Sequence, residues 1–136
     1  YRAPHPQGLV ARQAGAWDPL VDWSAEALGA RLLLAEGVMH VAQPEASLSR
    51  LAEAVRGHDA WELTALHDLV SISGSLVIGL AVSRGRLDAE AAWPLSRIDE
   101  DWNIEEWGED AEAAAQAARR QADFLNAGRL LGLVRS

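Results

Sequence analysis

The longest apolar run in the sequence extends from Glu62 to Val82. On a period of 3.6 residues its apolar side chains occupy two adjoining faces, so a helix formed here is apolar almost all round. Such a helix lies at the centre of a bundle or crosses a membrane, and a membrane span needs about 20 apolar residues with few interruptions. Polar residues interrupt this run between positions 67 and 75. The pattern therefore predicts one buried central helix, from about residue 60 to 84.

The ends of this central helix also have sequence signals. Asp59 suits the N-cap, and Gly85 stands where a left-handed residue ends the last turn. The narrow stripe that is not apolar holds small or short polar side chains, which let another helix backbone come close. That stripe, formed by Asp68, Ser71, Ser75 and Gly79, is predicted to be a helix crossing point.

Helical spacing recurs through most of the remaining chain. From Gly8 to Gly29 the spacing predicts a helix, a break or kink at the Asp18-Pro19 pair, and then a second helix. Another helix follows Pro44, and an alanine-rich helix is predicted from about Asp110 to Leu133. Residues 31–42 differ, since two short apolar runs flank a Glu-Gly pair, which predicts a short β-hairpin. The fold class predicted is mainly α: a helical bundle forming a single domain over residues 1–136.

Composition limits the functions that the chain can perform. Twelve arginines, no lysine and twenty acids give a net charge of −8, so a nucleic-acid partner is not expected because phosphate binding needs a basic face. The absence of cysteine excludes disulfides, thiolate metal sites and cysteine catalysis. The chain begins without methionine, and we expect it to be part of a longer protein.

A second distinctive segment combines acids with tryptophans. Ten of the twenty acids and three of the six tryptophans lie between Asp88 and Glu112. If this segment is helical from Pro94, one side carries Arg97, Glu100 and Trp107. We expect Arg97 and Glu100 to pair beside Trp107, which would fix this side against the domain.

The opposite side of the same segment presents Trp102 between Asp99 and Glu106. An exposed ring flanked by carboxylates suits a basic or amphipathic surface on another protein, because tryptophan anchors interfaces and charges select partners. The alternative interpretation is a buried tryptophan beside an ordinary solvated acidic face.

Sequence signals for catalysis are weak. The histidines show no metal-ligand spacing, and the chain has no nucleophile elbow, phosphate-binding loop or dinucleotide motif. Adjacent acids at Asp99, Glu100 and Asp101 diverge on a helix, so no metal and no cofactor are predicted. A small carboxylate-dependent, metal-assisted enzyme stays as one alternative, and an acidic adaptor with an unspecified client as another.

The run SGSLVIGLAVSRGRLDAEAAWPLSRIDEDWNIEEWGED, which follows LTALHDL, closely resembles the Atp12 family of assembly chaperones for the F1 part of ATP synthase. The opening stretch YRAPHPQGLVARQAGAWDPLVDW is similar to the start of that family's C-terminal domain. The resemblance implies a non-catalytic, mostly helical piece, with a β-rich N-terminal domain outside this sequence. It also implies a protein that binds the free F1 α subunit, and prevents its aggregation until a β subunit takes the chaperone's place.

The resemblance and the residue patterns meet in one segment. We expect the partner-binding residues to be Asp99, Trp102, Glu106, Glu109 and Asp110. We expect Arg97, Glu100 and Trp107 to hold that surface in shape. The alanine and arginine usage resembles an α-proteobacterial member, which implies the bacterial cytoplasm, with the mitochondrial matrix as the alternative.

Overall fold

The structure, a computed structural model, describes all residues from Tyr1 to Ser136 and contains seven α-helices and no β-sheet. The mainly α prediction is confirmed. The chain forms two compact units, the N-terminal unit (Tyr1–Gly57) and the C-terminal unit (His58–Ser136). None of the helices combines the length and apolarity that crossing a bilayer requires. The helices are α1 (Gln7–Leu28), α2 (Glu45–Arg56), α3 (Ala60–Ser73), α4 (Leu76–Ser83), α5 (Ala89–Leu95), α6 (Ile98–Trp107) and α7 (Ala111–Arg135).

The N-terminal unit is built on α1, which continues through Pro19 as a single helix instead of dividing there. Gly29 ends α1 in the left-handed region, at φ 69°. The hydroxyl of Ser24 then donates a hydrogen bond of 2.9 Å to the carbonyl of Ala30, which fixes the direction in which the chain leaves the helix.

The β-hairpin predicted for residues 31–42 is wrong, because this segment contains no strand. Its backbone is satisfied from outside: the side chain of Gln43 both donates to and accepts from the backbone of Leu33, at 2.8 Å each. The backbone of Arg2 bonds to Ala35 at 2.6 Å and to Gly37 at 2.7 Å. These bonds leave only an isolated parallel bridge between Arg2 and Glu36. Backbone groups of this segment are therefore bonded to residues outside the two apolar runs, and the runs do not pair with each other.

The C-terminal unit has its core between α3, α4, α5 and α7. The residues at its centre are apolar and almost fully buried, with Leu69, Leu80 and Phe124 each at 0% exposure. The ring of Trp93 on α5 packs against Phe124 on α7, with ring centroids 5.7 Å apart and an interplanar angle of 48°. Tilted pairs of this kind stabilise a fold beyond the area that they bury.

The central helix predicted for residues 60–84 is two helices, α3 and α4. Gly74 adopts a left-handed conformation at φ 72° and ends α3. The hydroxyl of Ser73 donates to the carbonyl of Leu69 at 2.6 Å, and the hydroxyl of Ser75 accepts from the backbone of Ile78 at 3.1 Å as the N-cap of α4. The Ser-Gly-Ser sequence thus ends one helix and begins the next. Apolar periodicity does not show this break.

The break lets α4 fold back on α3, and a close helix approach occurs at Gly79. A Cβ atom at this position would lie 2.6 Å from the Cγ2 atom of Val70, so only glycine fits. The rest of the predicted crossing stripe is not covered in this way, since Asp68 and Ser71 are exposed.

The predicted end signals are confirmed. Asp59 caps α3 in a reciprocal capping box with Glu62, and Gly85 follows α4 at φ 76°.

Candidate functional site

The acidic segment is not one helix from Pro94, because Pro94 belongs to α5, which ends at Leu95. Its middle part, Ile98–Trp107, forms α6, a ten-residue helix none of whose side chains is buried. Its first turn carries Asp99, Glu100 and Asp101, which the positive end of the helix dipole stabilises. Gly108 ends α6 at φ 86°, and the carboxylate of Asp110 caps α7 by accepting from the backbone of Ala113 at 2.7 Å. The helix α6 therefore has a defined start and end, although it contributes no side chain to the core.

Arg97 connects α6 to the core. Its guanidinium lies 5.7 Å from the centroid of the Trp93 ring, and its Nε atom lies 3.4 Å from the carboxylate of Asp101. The predicted pair with Glu100 is thus wrong, since the i,i+4 partner takes the place of the i,i+3 one. Arg97 is half-buried and joins α6 to a core tryptophan, and its role in supporting a binding surface stays a prediction.

The structure reverses the predicted exposure of the two tryptophans on α6. Trp107, expected to lie buried against the domain, is 86% exposed, whereas Trp102 is half-buried. Trp107 does lie on the side of α6 that faces α7, where Ala113, Gln116 and Ala117 line the same groove. The two alanines are too short to cover an indole ring across the gap, and the Gln116 side chain leaves it exposed as well. The predicted direction of Trp107 is right and its predicted burial is wrong.

The gap between α6 and the first turns of α7 is an open groove of about 370 Å³, which we call the α6–α7 groove. Glu100, Ile104 and Trp107 line it from α6, and Glu109 lies where the two helices meet. The carboxylates of Glu100, Glu106 and Glu109 are all exposed, as are those of Asp99 and Asp110. Residues 98–118 contain eight acids and no arginine or lysine, so the groove lies in a strongly negative surface.

The structure resembles solved structures of bacterial chaperones. Atp12 from Paracoccus denitrificans matches 98% of this chain at 50% identity and a TM-score of 0.94, as does an aspartate-to-lysine mutant of the same protein. The chain belongs to the Atp12 family. Atu1473, a candidate chaperone from Agrobacterium tumefaciens, matches 96% of the chain at 41% identity and a TM-score of 0.86. No family model matches.

The chain spans only part of these relatives. It covers 57% of the P. denitrificans Atp12 chain and 49% of the Agrobacterium chain. The structural match to Atp12 includes both compact units and therefore includes the acidic helix and its groove.

One polar cluster in this Atp12 family member was not found by sequence reasoning. Arg135, in the last turn of α7, donates to the carboxylate of Glu62 at 2.7 Å, to the Ser83 hydroxyl at 3.2 Å and to the Ser83 carbonyl. His58 also contacts the Ser83 hydroxyl, at 2.5 Å. The backbone amide of Asp59 and the Arg135 guanidinium lower the pKa of Glu62, because both bond to its carboxylate.

This cluster joins three helix ends and does not form an accessible reactive centre. Ser83 has 2% of its surface exposed and its hydroxyl already contacts two residues, so a substrate cannot reach it as a nucleophile. Across the chain, no three histidine or carboxylate side chains are placed so that they could hold a metal ion. What the surface offers instead is an exposed ring within a negative field, an arrangement suited to binding.

Proposed function

We propose that the chain is the client-binding part of an assembly chaperone for the F1 sector of ATP synthase, and that it binds the free α subunit and prevents its aggregation. The similarity to Atp12 supports the chaperone role. The resemblance of the segment DEDWNIEEWGED to the Atp12 family supports the choice of the F1 α subunit as the client. We place this activity in the bacterial cytoplasm, in keeping with a chain that contains no cysteine.

The observation that carries the proposal is the 86% exposure of Trp107 beside a groove that Glu100, Glu109 and Asp110 also line. An unassembled subunit exposes apolar surface that normally faces a neighbouring subunit, and a chaperone has to cover it reversibly. An aromatic anchor supplies affinity, while carboxylates accelerate the approach of a basic surface and select against acidic ones. The α6 surface provides both.

Co-expression with the F1 α subunit tests the proposal. The measurement is the amount of α subunit that stays soluble with the unaltered chain, with Glu106→Lys, with Glu109→Lys and with no chain. Both variants are expected to retain less α subunit and to keep their melting temperatures, because both carboxylates are exposed. Glu26→Lys is the matched control, since it makes the same charge change at an exposed position on α1.

The competing functions give different results. A chaperone of the proposed kind captures isolated α subunit and leaves β subunit in solution, whereas an acidic adaptor with another client captures neither or both. Saturable binding of Mg²⁺, Mn²⁺ or Zn²⁺ in calorimetric titration would favour metal-assisted chemistry. Equal solubility of the α subunit with the chain and without it would refute the proposed function.

A further inference from the structure

We propose that the α6–α7 groove takes an arginine or lysine side chain from an apolar client segment and seats it over the exposed ring of Trp107. This inference rests on the proposed function and names the chemistry by which the client is recognised. It assigns the binding contact to Trp107, Glu100 and Glu109, and assigns the half-buried Trp102 to the support of α6.

The position of Trp107 is the first observation. Its ring lies on the last turn of α6, just before Gly108, and is 86% exposed although Ala113, Gln116 and Ala117 of α7 line the same groove. Ile104, one turn earlier on the same side, gives the groove an apolar floor. An aromatic face beside an apolar floor accepts both the stem and the charged end of a long basic side chain.

The charges around the ring are the second observation. Glu100 lies one turn beyond Ile104 on the same face of α6, and Glu109 lies immediately after Gly108, so carboxylates stand at both ends of the groove. The carboxylate of Asp110 is already bonded to the backbone of α7. The two glutamates therefore remain to pair with a client cation, and they repel an anionic ligand.

The one cation that lines the groove does not oppose this occupant. The guanidinium of Arg97 is held by the Trp93 ring and the carboxylate of Asp101. A basic client side chain at Trp107 meets a surface whose net charge is negative throughout residues 98–118. The groove volume of about 370 Å³ is at the low end for a small-molecule pocket, and its open form suits one or two side chains of a protein segment.

The test uses short overlapping peptides that cover the F1 α-subunit sequence, with binding to the whole chain measured by fluorescence polarisation at low salt. The tightest peptides are expected to carry an arginine or lysine among apolar residues. Replacing that arginine by citrulline, which has the same shape without the charge, should weaken binding by roughly tenfold.

Variants of the chain locate the contact. Trp107→Leu keeps an apolar side chain but removes the ring, and should weaken the arginine peptide by roughly threefold to tenfold while leaving the citrulline peptide nearly unchanged. Trp107→Phe should restore part of the loss, and Glu109→Gln should weaken the arginine peptide alone. Trp61→Leu is the matched control, because Trp61 is 70% exposed on α3 and outside the groove.

Three results would overturn the inference: no peptide binds, the citrulline peptide binds as well as its arginine parent, or Trp61→Leu weakens binding as much as Trp107→Leu. Failure of the groove assignment can be distinguished from failure of the proposed function by the solubility of the α subunit. If Trp107→Leu and Glu109→Gln keep the α subunit soluble as well as the unaltered chain does, the groove assignment fails and the chaperone role stands. If the chain never retains α subunit but binds basic peptides through Trp107, the reverse holds.

Discussion

Two tryptophans in the C-terminal unit provide a direct test of the packing described above. Trp93 is 7% exposed and lies between the Phe124 ring and the Arg97 guanidinium, whereas Trp107 is 86% exposed. A tryptophan side chain of up to about 250 Å² that is almost fully buried contributes about 6 kcal/mol as an upper bound, at 25 cal/mol per Å². Because the Cβ atom remains and the site partly relaxes, Trp93→Ala is expected to lower the unfolding free energy by about 3–5 kcal/mol.

The same arithmetic gives a small value for Trp107. About 14% of its surface is covered, or roughly 35 Å², which corresponds to about 0.9 kcal/mol. Alanine has the higher helix propensity by a few tenths of a kcal/mol, so part of this loss is recovered. Trp107→Ala is therefore expected to change the unfolding free energy by about 0.5 kcal/mol or less.

Urea denaturation followed by far-ultraviolet circular dichroism measures both values, and it avoids the fluorescence change caused by removing a tryptophan. Trp61→Ala serves as a reference between the two, because this side chain is 70% exposed and its covered area is about twice that of Trp107, so its loss should lie between those of Trp107→Ala and Trp93→Ala. If Trp107→Ala loses as much stability as Trp93→Ala, the ring is covered in solution and the open groove described here does not exist.

Further predictions concern the helix junctions. Glu62→Gln should lower stability at neutral pH, because the pKa of Glu62 is depressed in the folded protein, where its ionised carboxylate is hydrogen-bonded. This deficit should shrink as the pH falls below the unfolded pKa of about 4.5 and the carboxylate takes up a proton; melting temperatures measured against pH check this. Gly79→Ala should cost about 1–3 kcal/mol in urea denaturation, because the added Cβ meets the stiff side chain of Val70. Gly132→Ala, where nothing lies within 4 Å, should instead gain about 0.5 kcal/mol; a loss there equal to that at Gly79 would contradict the steric argument.

The helical fold was predictable because apolar periodicity reports which faces are buried. That signal located α3, α4 and α7 and indicated the close approach at Gly79. It did not show the break at Gly74, because the helices on both sides of the break are apolar and the run continues through it. The information lies in the serines, whose hydroxyls end one helix and begin the next, and in a glycine that adopts positive φ.

The hairpin prediction failed for a related reason. Two apolar runs around Glu36-Gly37 have the pattern of a hairpin, and Gly37 does adopt positive φ as a turn requires. The backbone partners came instead from Gln43 and Arg2, which are outside the runs. Leu33 and Leu34 are left about half exposed, and Val38 and Met39 more so. Local pattern cannot reveal which distant group will satisfy a backbone amide.

For the acidic site, the sequence predicted which residues share a face of α6 but not whether the ring of Trp107 is buried. Helical spacing correctly placed Glu100 and Trp107 on one face of α6, the face that lines the groove. Whether a ring on that face is buried depends on which side chains the facing helix places opposite it, and helical periodicity does not show how α6 aligns with the alanines of α7. The error at Trp107 is therefore one of tertiary contact, since its local placement on the helix was right.

Folding requirements alone do not account for α6. A ten-residue helix is shorter than the roughly 12–15 residues at which isolated helices become even marginally stable in water, and α6 buries none of its side chains. Its order depends on the helix dipole acting on its first-turn acids and on the anchoring of Arg97 between Trp93 and Asp101. Acidic side chains alone would be enough for solubility, and a buried ring would do more for stability than the 86% exposed ring of Trp107. The proposed binding of a basic, apolar partner would explain why an exposed tryptophan and several exposed carboxylates occur together here.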